Sequence, residues 1–197
     1  RHHLPLFAHV PPSRMAHVMV WDSSRNRAVV FGGMNANMQE FSDTWEFTGS
    51  SWTQNTAATH PSGRTYAMMA YDPVRRKAVL FGGKVGLSYL SDTWEYDVTT
   101  STWALRTPTT SPPARAFAAM AFDPVNNEVL LFGGTDLINS GNPPEFEDTW
   151  SWNGTRWLLR ASSGPFARYA HSMATDFARS RVVLFGGFDG NDTWEWN

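Results

Sequence analysis

Apolar and polar positions along this chain fall into short bursts that recur four times. Each recurrence opens on an arginine (Arg14, Arg64, Arg115, Arg168) and runs through an apolar stretch to an aspartate (Asp22, Asp72, Asp123, Asp176). A methionine stands five residues after each arginine, at Met19, Met69, Met120 and Met173. So short an apolar run predicts a buried inner strand, with the methionines filling irregular space. A polar turn follows, as at 72–77. A β-branched or leucine-rich run then closes on Phe-Gly-Gly at Phe31, Phe81, Phe132 and Phe185. This is a second strand, ended by glycines that allow positive φ. Asp-Thr-Trp then opens a stretch of alternating aromatic and polar residues (45–47, 94–96, 150–152, 194–196). That alternation predicts a half-buried third strand. A turn, clearest at Asn153-Gly154, leads to a short fourth strand carrying Trp52, Trp103 or Trp157. The last recurrence stops at Trp196-Asn197, before its fourth strand.

Spacing separates what packs from what does not. Arginine to Phe-Gly-Gly is 17 residues in every copy, whereas Phe-Gly-Gly to Asp-Thr-Trp is 12, 11, 16 and 7. A packed strand cannot gain a residue without reversing its faces, but a solvent loop can. Phe-Gly-Gly itself returns after 50, 51 and 53 residues. Four short antiparallel strands at that period predict an all-β fold, a four-bladed β-propeller with units 14–63, 64–114, 115–167 and 168–197 plus 1–13. Counting back from Arg14 by the usual interval puts His2 or His3 where the other units hold tryptophan. Residues 2–7 are therefore expected to supply the last blade's fourth strand and close the ring. Two alternatives stay open: two chains joined head to tail into a larger ring, and an excerpt of a longer protein.

Arg-x-x-[His or Ala], Phe-Gly-Gly, Asp-Thr-Trp-Glu-aromatic and a spaced Trp together resemble the kelch repeat over nearly the whole chain. Hemopexin-type four-bladed propellers lack Phe-Gly-Gly and are set aside. Kelch propellers commonly have six or seven blades, so four is a departure. The resemblance implies a ligand site on the face where the arginines stand.

Composition narrows the function classes. Sixteen basic and eighteen acidic residues lie scattered without runs, for a net charge of -2. That gives no electrostatic footprint for nucleic acid or anionic lipid. No apolar run reaches the length of a membrane span. Cysteine is absent, which excludes disulfides, thiolate metal sites and cysteine nucleophiles. The N-terminus, Arg1-His2-His3, shows neither an initiator Met nor a signal segment, so the chain reads as processed, trimmed or excerpted. The style of the repeat resembles bacterial secreted or surface propellers, and location is left open. Ten tryptophans and thirteen phenylalanines call for a regular packing scheme.

Three sets of candidate residues emerge. Arg14, Arg64, Arg115 and Arg168 form a fourfold set able to grip a carboxylate or phosphate. The competing reading pairs each with its Asp-Thr-Trp aspartate or with carbonyls, because identical use in every blade is what a structural part looks like. His17 and His171 share one repeat position, but two imidazoles without a third ligand favour core histidines over a metal site. The non-recurring loops, 34–42, 84–91, 135–147 and 188–191, are the best site candidates, since a surface meeting one asymmetric partner uses residues that do not recur. They offer Asn35, Asn37, Glu40, Tyr89, Asp136, Asn139, Glu145, Phe188 and Asp189 among exposed-looking Phe41, Leu90 and Phe146. No phosphate-cradling loop, nucleophile elbow or metalloprotease motif is found. The kelch-like copper oxidase pattern needs a cysteine this chain lacks. The reading is a non-catalytic binding module for a protein or glycan, without a cofactor. A structural or self-assembling element, including a homodimer, and a sugar-active enzyme such as an epimerase are the alternatives.

Overall fold

The computed structural model describes residues 9–136, 145–188 and 190–197. Every regular element among them is a strand. The first sheet contains β1 (Val18–Asp22), β2 (Arg27–Phe31), β3 (Thr44–Phe47) and β4 (Trp52–Asn55), paired antiparallel in chain order. The second starts with β5 (Met68–Asp72) and β6 (Lys77–Phe81). A small hairpin, β7 (Lys84–Val85) and β8 (Ser88–Tyr89), stands outside the sheet before β9 (Thr93–Asp97) and β10 (Thr102–Arg106) complete it. The third comprises β11 (Ala119–Asp123), β12 (Glu128–Phe132), β13 (Thr149–Trp152) and β14 (Trp157–Ala161). The fourth shows β15 (Ser172–Asp176), β16 (Arg181–Phe185) and β17 (Thr193–Trp196). The chain is thus an all-β, four-bladed propeller. Residues 2–7, expected to complete the last blade, lie outside the described residues.

The aspartate ending each inner strand builds the turn that follows. Asp22 Oδ1 accepts the N–H groups of Ser24 and Arg25, and Asp72 does the same for Val74 and Arg75. Such an Asx turn reverses the chain without help from the sheet. The turn closes on a left-handed residue in every blade: Asn26, Arg76, Asn127 and Ser180, with φ of 54–59°.

Each blade packs on the next through a repeated set of contacts. Trp103 of blade two sits 5.2 Å from the Phe31 ring of blade one and donates its Nε1–H to Thr44 Oγ1 at 2.9 Å. Trp157 of blade three repeats this with Phe81 at 5.2 Å and Thr93 at 2.8 Å. The glutamate of Asp-Thr-Trp-Glu faces the same seam: Tyr96 OH donates to Glu46 at 2.6 Å, and Trp152 Nε1–H to Glu95 at 2.8 Å. Glu46 and Glu95 are consequently buried. In blades one to three the third strand is not half-buried, as alternation suggested, because the neighbouring blade covers its polar face as well, whereas β17 stays largely exposed. Main-chain bonds run alongside: Gly33, Gly83 and Gly134 N–H donate to the carbonyls of Arg64, Arg115 and Arg168 at 2.8–2.9 Å. Approach is so close that a Cβ on Gly82 would stand 2.6 Å from Arg115 O.

The fourth seam differs. Among the described residues no such bond joins Gly187 to Arg14, and a Cβ on Gly186 would meet nothing nearer than 3.8 Å. β1 packs on β5, β5 on β11 and β11 on β15, but β15 does not pack on β1 in that way. Met19 and Trp21 at one end, and Phe185 and Trp194 at the other, stay 42–61% exposed. Met69 and Met120 are buried as packing methionines, while Met19 looks into this opening. The inner strands of all four blades line a central cleft of about 430 Å³.

Candidate functional site

The connections leading into β1, β5, β11 and β15 and the loops between second and third strands lie at the same end of the blades. The recurrent arginines stand there as clamps. Arg115 donates through Nη1 and Nη2 to the two carboxylate oxygens of Asp148, at 2.6 and 2.9 Å, and again through Nη1 to Gly133 O at 2.9 Å. Arg14, Arg64 and Arg168 repeat the pattern with Asp43, Asp92 and Asp192. Trp150 Nε1–H adds a bond to Asp148 at 2.7 Å, as Trp45 does to Asp43. Burial raises the Asp148 carboxyl, but the hydrogen bonds and charge of Arg115 more than reverse this and hold it below the usual range. The side chains of Arg64 and Arg115 are 1% and 0% exposed. Each guanidinium grips the aspartate of its own blade, whereas the backbone carbonyls of Arg64, Arg115 and Arg168 bond the preceding one.

Part of the loop set is scaffold too. Phe41 and Phe146 lie over Arg14 and Arg115, with the guanidinium carbon 4.4 and 3.8 Å from the ring centre. Their N–H groups, like that of Leu90, bond Gly33, Gly134 and Gly83 carbonyls at 2.8–2.9 Å. All three stand two residues before the Asp-Thr-Trp aspartate, a constant offset inside an otherwise variable loop.

The remaining loop candidates are spread across the face. Asn35 Oδ1 accepts from Asn37 and Gln39 N–H, shaping an exposed turn. Glu40 accepts Gly86 N–H at 2.9 Å, tying this loop to the β7–β8 hairpin of blade two. Tyr89 lies beneath Lys84, whose Nζ is 5.6 Å from the ring centre. Glu145 bridges Thr135, next to Asp136. Asn139 and Asp189 lie outside the described residues. Phe188 is 58% exposed and stacks on Tyr169 at 5.1 Å.

That stack ends a row the sequence reading overlooked. Tyr66 and Phe117 stack at 4.1 Å, Phe117 meets Tyr169 edge-on at 6.2 Å, and Tyr169 meets Phe188. The row crosses blades two, three and four. Tyr66 and Phe117 are two residues past their arginines, with φ of 53° and 59°, and Ala16 and Ala170 share the conformation at 56°. Left-handed backbone is unfavourable for bulky aromatics. Neighbour-to-neighbour bonds offset that cost: Tyr66 N–H to Ala16 O, Phe117 N–H to Tyr66 O, and Ala170 N–H to Phe117 O, at 3.1, 3.2 and 2.8 Å. The available signal was an aromatic just after the arginine in three of four repeats.

The two histidines are not a pair. His171 is buried between blades three and four, its ring edge-on to Phe132 at 5.4 Å, whereas His17 is exposed. Burial, with help from Arg168, lowers the His171 pKa to about 4. No cluster of three His, Cys, Asp or Glu suited to a metal ion occurs among the described residues, and no helix there is long and apolar enough to cross a membrane.

Fourfold Arg–Asp clamps and glycine-mediated seams agree with what comparison with known proteins finds. A family model described as the KLHDC2/KLHL20/DRC7 kelch-repeats domain matches residues 2–187. The chain belongs to the kelch-repeat family. A kelch repeat-containing protein of Arthroderma benhamiae is 31% identical over 107 residues, which is 49% of this chain and 16% of that relative. The match therefore spans a small part of that longer protein. A solved structure titled "Structure of YjhT" superposes with a TM-score of 0.75 at 16% identity, covering 96% of this chain and 68% of the other. At that identity the likeness is one of fold. Kelch propellers are commonly used for protein binding.

Proposed function

We propose that this kelch propeller is a binding module that takes an extended protein segment across the row Tyr66, Phe117, Tyr169 and Phe188, with the 34–42 and 84–91 loops as walls. The observation carrying this reading is the left-handed backbone of Tyr66 and Phe117. Packing alone does not require bulky rings there, and strain of that kind gathers where side chains are presented to a partner. Half-buried aromatics that are already stacked lose little entropy on binding and make good anchors. The acids and amides around them (Asn35, Asn37, Glu40, Asp136, Glu145) supply the polar rim that specifies a partner.

The test is a peptide-array screen with a glycan array in parallel, followed by titration of the best hit against Tyr169→Ala, Phe188→Ala and Phe117→Gly. Each variant is expected to weaken peptide capture about tenfold or more. Phe117→Gly relieves the backbone and should leave the melting temperature nearly unchanged. Peptide capture undiminished in all three variants overturns the site, and capture of a glycan instead of a peptide overturns the partner class.

A further inference from the structure

Blade four departs from its siblings at one loop position. Phe41, Leu90 and Phe146 stand two residues before the Asp-Thr-Trp aspartate, and the two phenylalanines lay their rings over the clamp arginines. Gly190 holds that place in blade four. Its N–H still bonds the Gly187 carbonyl, at 3.2 Å, as Phe41 bonds Gly33 and Phe146 bonds Gly134. A Cβ on Gly190 would point at Arg168, 2.9 Å from Nη1. Where a ring would lie there is instead a pocket of about 380 Å³, lined by Glu145, Phe166, Arg168, Phe188, Asn191 and Asp192 among others.

Its rings have no part in the scaffold. Phe166 stands two residues before Arg168, where the other blades have Pro12, Ser62 and Pro113. Its carbonyl accepts the arginine Nε–H at 3.0 Å, as the carbonyls of those three residues do in their own blades. Any residue can make that bond, yet here it carries a ring that is 82% exposed, and Phe188 opposite is 58% exposed. Single exposed apolar residues are ordinary, whereas two rings walling one pocket mark a recognition surface. Arg168 brings no free charge to it, because Asp192 holds both terminal nitrogens. Among the described residues the Glu145 carboxylate has no hydrogen-bond or ion-pair partner, which leaves it as the uncompensated charge. The wider face leans the same way: among the described residues the variable loops hold Glu40, Asp136, Glu145 and Glu147 against Lys84 alone.

We infer that this pocket seats a cationic side chain, lysine or arginine, of the segment that lies across the aromatic row, with Glu145 as its counter-charge and Phe166 and Phe188 as its walls. The inference rests on the binding function proposed above and adds the chemistry of the residue at one end, since Phe188 is the last ring of the row. A cation beside aromatic faces is attracted by the ring quadrupoles, and the carboxylate adds a charge-assisted hydrogen bond. A carboxylate or phosphate on the ligand would meet Glu145 as a like charge. An apolar residue would strip water from Glu145 and offer it nothing in return.

The test is an NMR titration of the full 197-residue chain with three capped amino acids: acetyl-arginine amide, acetyl-lysine amide and acetyl-citrulline amide, the last having the shape of arginine without its charge. Both cations should shift the Phe166 and Phe188 ring signals and saturate in the millimolar range, with citrulline at least about fivefold weaker. Glu145→Gln should bring arginine down to the level of citrulline and leave citrulline unchanged, and Phe166→Ala should weaken both cations several-fold. Both substitutions lie on the surface and leave the clamps and seams intact. Citrulline binding as well as arginine, a Glu145→Gln variant that binds arginine undiminished, or ring signals that no cation moves each overturn the inference. Peptide capture on the row, with capped arginine leaving Phe166 unmoved, overturns the pocket alone. Arginine seated as expected, with no peptide captured, supports the pocket and overturns the extended-segment reading instead.

Discussion

Arg115 holds Asp148 through both terminal nitrogens, at 2.6 and 2.9 Å, from a position with no solvent exposure. Removing one charge from such a pair leaves the other buried and unbalanced, at a cost of roughly 3–5 kcal/mol. Asp148→Asn is expected to lower the melting temperature by about 6–20 °C at pH 7, given ~2–4 °C per kcal/mol at this size. Because the Asp148 carboxyl is held below its ordinary pKa by Arg115, its contribution is intact above the carboxylate range and fades as the pH falls through its folded-state value. Calorimetry at pH 7 and below pH 4 checks both points: the gap between wild type and variant should narrow in acid.

His171 predicts a separate acid response. Its pKa falls from 6.5 to about 4 through burial and the nearby Arg168 charge, so the folded state favours the neutral ring. The unfolded chain takes up a proton first, and stability is full above pH 6.5 and declines as the pH drops towards 4. The loss approaches ~3 kcal/mol by linkage. His171→Leu should flatten the melting-temperature profile between pH 6.5 and 4.5, and an unchanged slope would refute the assignment.

Ser151 occupies the repeat position that Glu46 and Glu95 fill in blades one and two. Those glutamates accept from Tyr96 and Trp152 across their seams, whereas Trp196 Nε1 is buried without a partner. Arg160 already reaches Ser151 Oγ at 2.7 Å, much as Arg106 reaches Glu95. Ser151→Glu is expected to stabilise the protein by about 1–2 kcal/mol by pairing that indole. Chemical denaturation measures this directly, and a lower midpoint would show that the seam lacks room.

Glycine scanning reads the open seam. A Cβ on Gly82 collides with Arg115 O at 2.6 Å, while among the described residues one on Gly186 meets nothing nearer than 3.8 Å. Both residues have positive φ, so both alanine variants carry backbone strain, and only Gly82→Ala adds a collision. Gly82→Ala should cost at least 2 kcal/mol more than Gly186→Ala. Equal costs would mean that blade four meets another blade in solution as closely as blade two meets blade three.

Much of the fold was legible because each blade must solve the same steric problem with the same residues. Arg14 to Phe31 cannot change length without losing the Arg14–Asp43 clamp or the Gly32 carbonyl it grips, so constant spacing exposed the strands. The seams were harder to read. Alternation at Glu46 and Glu95 describes one sheet, and nothing in that pattern says that a second sheet covers the polar side too. Phe41 and Phe146 looked like loop residues because the insertions beside them vary, although their own offset from the aspartate does not. Tyr66 and Phe117 were missed because their conspicuous feature is a left-handed backbone, and only glycine advertises that in a sequence. His17 and His171 share a repeat position yet differ in burial, because the blade sealing the second has no counterpart over the first.

The joints between blades one and two and between blades two and three use interchangeable pieces: a threonine hydroxyl, an indole, a phenylalanine ring and a glycine amide set against an arginine carbonyl. A gene that duplicates or deletes one repeat therefore yields a chain whose new neighbours already fit, and blade number becomes a variable that recombination can explore without redesigning any surface.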